Sequence, residues 1–181
     1  MSAPGEGFEF VGSRTLLRTK FLAAERLHLL APGGDPIDRV VVRHPGAVGV
    51  VPLDGTDVIL IEQYRPAVGR PLLEIPAGKV DIADEPRADT ARRELIEEVG
   101  YRAHQIDHLC DYYASPGFTD ELLSVFLATE LEHVEANPVG IEEETARVVR
   151  MPFAEALDLI AEGRICDGKT IIALLAAARV M

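Results

Sequence analysis

Gly78-Lys-Val-Asp-Ile-Ala-Asp-Glu85-Pro86-Arg-Ala-Asp-Thr-Ala-Arg-Arg93-Glu94-Leu-Ile-Glu97-Glu98-Val-Gly100-Tyr101 is the stretch of this 181-residue chain from which its fold and chemistry are read. Pro86 suits the first position of a helix, and Gly100 suits the left-handed position that ends one. At about 100° per residue, Ala88, Ala91, Leu95, Ile96 and Val99 share one face, the face expected to enter the core. Glu94, Glu97 and Glu98 stand at i, i+3 and i+4 on a different arc, so three carboxylates crowd one patch. Like charges at that spacing repel by roughly a few tenths of a kcal/mol per pair, and a helix built for stability alone would interleave Lys or Arg. A solvated acidic face is the ordinary explanation of a Glu-Glu pair. The glycine-led loop, the ordered acids and the helix stop, all in one unit, favour a cation site instead. Ligands that are all oxygen suit Mg²⁺ or Mn²⁺.

Around this helix the chain reads as mixed α/β. Val40-Val41-Val42, Val48 to Leu53 and Asp57 to Tyr64 are strand candidates, the last two separated by the hairpin signal Asp54-Gly55. Leu72 to Ile75, Ile106 to Tyr113, Leu122 to Thr129 and Ala146 to Met151 are further extended stretches, and the sequence turns β-rich from Arg39. One helix is expected from around Pro152 to Gly163, and another from about Thr170 to the end. The division expected is an N-terminal β-rich region, residues 1–45, and a main domain, 46–181.

Composition narrows the function classes. With 48% hydrophobic and 27% charged residues the chain forms a core, and 30 acidic against 18 basic residues give a net charge of −12. That balance argues against an electrostatically driven nucleic-acid binder. Cys110 and Cys166 lack CxxC spacing, which argues against a disulfide framework or a cysteine zinc site and leaves thiols expected to be buried or inert. The histidines at 28, 44, 104, 108 and 133 form no ligand cluster; His104 and His108 lie in a strand-like stretch, where four residues span about 13 Å. No GxSxG motif offers a nucleophile. No apolar run approaches the roughly 20 residues of a membrane helix, and the N-terminus has no basic segment followed by an apolar one, so a soluble, cytoplasmic protein is expected. The run Ile171 to Ala178 reads as a helix buried in the fold or at a subunit contact.

The quoted segment resembles the Nudix box of the Nudix hydrolases, G-x5-E-x7-R-E-U-x-E-E-x-G-U with U a bulky apolar residue. From Glu85 every defined position matches: Arg93, Glu94, Leu95, Glu97, Glu98, Gly100 and Tyr101. The loop departs from the pattern, with six residues between Gly78 and Glu85. Either the loop carries one extra residue, which keeps the helical register, or Asp84 takes the glutamate's place. The resemblance implies a Nudix α/β/α sandwich with a mixed β-sheet, plus the small N-terminal β-rich region. It also implies attack of water on a phosphorus of a nucleoside diphosphate joined to another group.

Three features resemble the ADP-ribose pyrophosphatases of that family. Leu73-Glu74-Ile75-Pro76-Ala77-Gly78 runs straight into the box, Pro116 lies sixteen residues beyond Gly100 within Ser115-Pro-Gly-Phe118-Thr-Asp-Glu121, and Glu142-Glu143-Glu144 precedes a strand-like stretch. The resemblance implies hydrolysis of ADP-ribose to AMP and ribose 5-phosphate. It implies Mg²⁺, with Mn²⁺ or another divalent cation as an alternative, held by the Ala77 carbonyl, Glu94, Glu98 and Glu97. The loop glutamate is Glu144, with Glu142 as second choice, and Arg93 orients the carboxylates. Arg39, Arg65, Glu74 and Phe118 are the implied substrate contacts, guanidinium groups being suited to phosphate by their forked donors. Each arginine reads equally as a surface group paired with a nearby carboxylate. Phe21 is a candidate to stack on adenine, although a single aromatic in a weakly matched region is more often core. Relatives in this subfamily are homodimers completed by N-terminal elements. The alternatives are a Nudix diphosphatase for a nucleotide sugar or NADH, and a non-catalytic ADP-ribose sensor.

Overall fold

The structure is a computed structural model that describes residues 7–136 and 145–181. It divides into two units, one made of the chain up to Gly46 with Tyr113–Leu122, the other of Ala47–Tyr112 with Leu123–Met181.

In the first unit β1 (Glu9–Arg18), β2 (Ala23–Leu30) and β3 (Pro36–Arg43) form an antiparallel sheet in that order. Thr19 closes the first turn, its Oγ1 accepting the Leu22 N–H at 2.9 Å. The segment 113–122 docks on β3, where the Val42 N–H donates to the Phe118 carbonyl at 2.7 Å and Arg43 reaches Asp120 at 3.0 Å. This sheet is the expected N-terminal β-rich region, and its strands start at Glu9, thirty residues before the β-rich composition that begins at Arg39. The reason is exposure: nearly all of β1 faces solvent, including Val11, Leu16 and Leu17, so no alternation of apolar and polar residues marks it.

The second unit contains β4 (Ala47–Asp54), β5 (Asp57–Arg65), β6 (Arg70–Glu74), β7 (Ala77–Lys79), α1 (Arg87–Val99), β8 (Tyr101–Tyr113), β9 (Leu122–His133), β10 (Arg147–Pro152), α2 (Phe153–Ala161) and α3 (Gly168–Ala177). The main path of its sheet is β10-β5-β4-β9-β8, with β6 beside β5 and β7 beside β4. β4 and β9 run parallel while β5 pairs antiparallel with β4, β6 and β10, so the sheet is mixed. The β4–β5 turn is the expected hairpin, closed by Asp54 opposite Asp57 with Gly55 at φ 64°.

Strand alternation sorts the core into two layers. Val51, Val58, Leu60, Val125 and Leu127 meet Phe153, Leu159 and Leu174 of α2 and α3 on one side. Val48, Val50, Ile59, Ile61 and Phe126 meet Ala91, Leu95 and Val99 of α1 on the other. Helices thus cover both faces of the sheet, as the α/β/α expectation requires. Full burial of each large aliphatic side chain contributes about 1.5–3 kcal/mol. No helix among the described residues is long and apolar enough to cross a membrane.

Three boundaries differ from the sequence reading. Pro86 is the residue before α1, not its first, and its carbonyl accepts the Asp89 and Thr90 amides. Pro152 stands in the same place before α2, which ends at Ala161, short of Gly163. The last helix starts at Gly168 because Asp167 caps it, accepting the Thr170 N–H at 2.9 Å, and it ends at Ala177.

Candidate active site

α1 places its carboxylates by two contacts with the strand segment before it. Gly78 in β7 lies directly beneath Glu94: a Cβ at residue 78 would overlap the Glu94 carboxylate. Glycine is required there for close approach, since its φ lies outside the left-handed range. Glu94 is consequently 6% exposed, which moves it off the solvent arc of the helix and into the buried set with Thr90, Ala91, Leu95 and Val99, while Ala88 and Ile96 are half-buried. The second contact comes from Glu98, whose Oε2 accepts the Ala77 N–H at 2.8 Å. Gly100 closes the helix at φ 70°, donating its N–H to the Ile96 carbonyl at 3.1 Å.

Arg93 knits the acids together. Its Nη1 donates to Glu94 at 2.8 Å and to Glu97 at 3.0 Å, and its Nη2 donates to Glu85 at 3.3 Å. Burial works against the Arg93 charge, but the Glu85 hydrogen bond and the charges of Glu94 and Glu97 outweigh it and hold its pKa above the ordinary value. The Glu85 carboxyl is held below the usual range by hydrogen bonds from Arg93 and Thr90. Glu85, and not Asp84, therefore makes the box contacts. Asp84 is exposed at φ 61°, a left-handed turn position that Asp tolerates, and there the longer loop turns before the helix.

Among the described residues no three His, Cys, Asp or Glu side chains converge as a ready ligand set for a metal. The geometry gives the reason: Arg93 and the Ala77 amide hold the oxygens of Glu94, Glu97 and Glu98. The donor chemistry nevertheless fits a hard divalent cation, being carboxylate and carbonyl oxygen throughout. Buried Gln63, two residues beyond Ile61 on β5, has an Oε1 that accepts no hydrogen bond among the described residues. Binding a cation means exchanging the internal hydrogen bonds for metal–oxygen contacts.

Arg65 and Glu74 meet each other. Arg65 Nε donates to Glu74 Oε1 at 2.8 Å and Nη2 to Oε2 at 2.6 Å, a forked pair with Glu74 wholly buried and Arg65 about one-third exposed. That hydrogen bonding raises the Arg65 pKa against the effect of its burial, and the negative charges of Asp167 and Glu98 add to it. Lys169, which the sequence reading did not single out, also binds Glu74. Arg39 and Phe118 lie in the first unit, both exposed; the Arg39 guanidinium donates to the Asp38 carbonyl at 2.8 Å. Phe21 is 46% exposed, not core, and shares an open pocket of that unit with Arg18, Lys20, Arg43 and His44. Glu142 and Glu144 lie outside the described residues.

Elsewhere, Asp111 accepts hydrogen bonds from Ser124 and His108 that hold its carboxyl below the usual range. Both thiols are free, and Cys166 is exposed rather than buried.

The chain is 40% identical over 144 residues, 79% of its length and 77% of the relative's, to an ADP-ribose pyrophosphatase of Bacillus subtilis (strain 168). It is 39% identical over 170 residues to an ADP-ribose pyrophosphatase of Mycobacterium tuberculosis (strain ATCC 25618 / H37Rv), covering 93% and 82% of the two chains. A methanol dehydrogenase activator of Bacillus methanolicus is 41% identical over 145 residues, 79% of this chain and 77% of that one. A crystal structure titled as an ADP compounds hydrolase superposes with a TM-score of 0.82 at 25% identity, over 98% of this chain and 96% of the other. A family model described as the NUDIX domain matches residues 43–174, and the chain belongs to the NUDIX family of hydrolases.

Proposed function

We propose that the protein hydrolyses ADP-ribose to AMP and ribose 5-phosphate in a reaction that depends on Mg²⁺. The observation that carries the chemistry is the seating of buried Glu94 on Gly78, with Glu98 on the Ala77 amide beside it. The likeness over most of the chain to enzymes named ADP-ribose pyrophosphatases supports the substrate.

Glu94, Glu98, Glu97 and the Ala77 carbonyl are the groups that would hold divalent cations, which when bound would supply charge neutralisation toward the diphosphate and a more acidic water. Glu144, or in second place Glu142, would orient the attacking water or take its proton. Water oxygen adds to one phosphorus, the anhydride P–O bond breaks, and the displaced phosphate leaves with the bridging oxygen. Before a cation binds, Arg93 holds Glu94 and Glu97 together through its two Nη1 hydrogen bonds. In the second unit Arg65 and Glu74 are the proposed substrate contacts, Arg65 for phosphate or sugar oxygens; in the first unit Arg39 and Phe118 are proposed separately.

We also propose a homodimer. The sheet of the first unit exposes Phe10, Val11, Leu16 and Leu17 on β1 and Val40 on β3, apolar side chains spread over both of its faces, part of which a second copy would cover. Sedimentation at micromolar protein should give twice 19.7 kDa.

The test of function is AMP release from ADP-ribose, NADH and a nucleotide sugar, each with Mg²⁺ and with Mn²⁺. ADP-ribose should be the preferred substrate, and Glu98→Gln should abolish most turnover. Near-normal turnover by Glu98→Gln at saturating Mg²⁺ would refute the metal assignment, and hydrolysis of none of the substrates would favour a sensor.

A further inference from the structure

Glu74 is a fully buried carboxylate that serves two cations at once. Arg65 takes both of its oxygens in a fork, and Lys169 shares Oε2 while also reaching Asp167 Oδ2 at 3.1 Å. Lys169 is 14% exposed, so its ammonium is held among these partners and not spread into solvent. The contacts run on toward the box. Asp167 Oδ2 accepts the Thr170 hydroxyl at 2.6 Å, that hydroxyl accepts the Ile75 N–H at 2.9 Å, and two residues later the Ala77 N–H binds Glu98. The N-terminus of α3 is thereby fastened to the strand segment that carries Glu74 and leads to the candidate active site.

A carboxylate paired with a single arginine cancels most of that arginine's field. Lys169 adds a second positive charge at the same carboxylate, and Asp167, 3.1 Å from that ammonium, offsets part of it. We propose that Lys169 is a positioning residue for substrate binding: by sharing Glu74 it fixes the plane of the Arg65 fork and leaves Arg65 positive charge available to an anionic diphosphate. This rests on the reading of Arg65 as a substrate contact. Lys169 itself touches no substrate, and its effect passes through Glu74.

Lys169→Met removes the charge and keeps much of the stem. It should raise KM for ADP-ribose about tenfold, the order expected when one unit charge acts through a bridging carboxylate, with kcat and the Mg²⁺ activation midpoint little changed. Lys169→Arg should restore much of the KM. A purely structural role would lower Tm and leave KM alone. The deciding measurement is a double-mutant cycle: in an Arg65→Ala background, Lys169→Met should change KM by less than twofold. An equal rise in KM with and without Arg65 would overturn the proposal. A shift of the Arg65 Nε–H resonance in Lys169→Met is read by NMR without turnover. If ADP-ribose is not hydrolysed at all, the functional reading fails, while an unmoved resonance overturns the Lys169–Glu74–Arg65 coupling itself.

Discussion

Gly78→Ala separates the strand–helix contact from the chemistry with a single methyl group. Gly78 pairs with Val48 across the β7–β4 ladder and lies beneath Glu94, where a Cβ would overlap the carboxylate. The helix cannot lift away cheaply, because Ala91 and Leu95 are fully buried against β4 and β5. Either Glu94 swings out and gives up its 2.8 Å hydrogen bond from Arg93, or β7 slides off its three register pairs with β4. Overpacking of this kind costs about 1–3 kcal/mol, which for a chain of this size lowers Tm by about 2–12 °C. The effect on turnover should be far larger, since displacing a catalytic group by about 1 Å can cost about a hundredfold. The assay is kcat for ADP-ribose across a Mg²⁺ titration, alongside thermal melts. Gly49→Ala is the control: its Cβ would stand 2.7 Å from Ile75 Cδ1, the end of an aliphatic side chain, so it should cost comparable stability without touching a carboxylate. A Gly78→Ala enzyme within about threefold of the parent kcat at saturating Mg²⁺, a difference of under 1 kcal/mol in the barrier, would sink the argument.

Arg93→Gln removes the cation shared by Glu85, Glu94 and Glu97 and should cost about 1.5–3 kcal/mol in urea unfolding. Mg²⁺ should recover part of that loss, so the rise in Tm on adding Mg²⁺ is expected to be larger in the variant than in the parent; equal rises would count against a cation at these carboxylates. Asp111 has a depressed carboxyl, so its contribution to stability is present above its unfolded pKa of about 3.9 and is lost as pH falls through the lower folded value. Asp111→Asn should therefore be less stable than the parent at pH 7, with the gap closing on acidification below about pH 4; a gap that does not vary with pH contradicts this. Gly100→Ala places a side chain at φ 70° and 2.9 Å from the Val134 carbonyl, and a loss of at least about 1–2 kcal/mol is expected by thermal denaturation.

What was legible in the sequence followed from burial on one side. β4, β5 and α1 carry apolar residues at the period of their own geometry because each presents a defined face to a core layer, and the Asp54-Gly55 signal marks a turn that needs φ above zero. β1 escaped because exposure on both faces leaves no period, and Tyr101 to Gln105 at the start of β8 escaped because Ala103 is its one buried residue. The spacing of Glu94, Glu97 and Glu98 pointed to a shared patch, yet helical arithmetic put Glu94 on an outer arc. It is buried because Gly78 admits it, and that contact belongs to two elements rather than to the helix. Lys169 stands 95 residues from Glu74, where only the Asp167 cap before it gives a local signal.

The acidity of the chain has a structural logic in the site. Residues 78–100 carry seven acids and four bases, residues 130–144 carry six acids and no Lys or Arg, and the first 77 residues are nearly balanced, with nine acids and eight bases. Around Arg93 the carboxylates of Glu85, Glu94 and Glu97 face one guanidinium, with Asp81 at 4.0 Å and Glu98 held on the Ala77 amide, an excess of negative charge that a stable helix would not keep without use. Arg93 and the Ala77 amide make the cluster tolerable on their own, and both hold it through hydrogen bonds that a divalent cation can replace. Under the proposed function that exchange reverses the sign of the site: the carboxylates that would repel an anionic diphosphate become the ligands of the charge that draws it in.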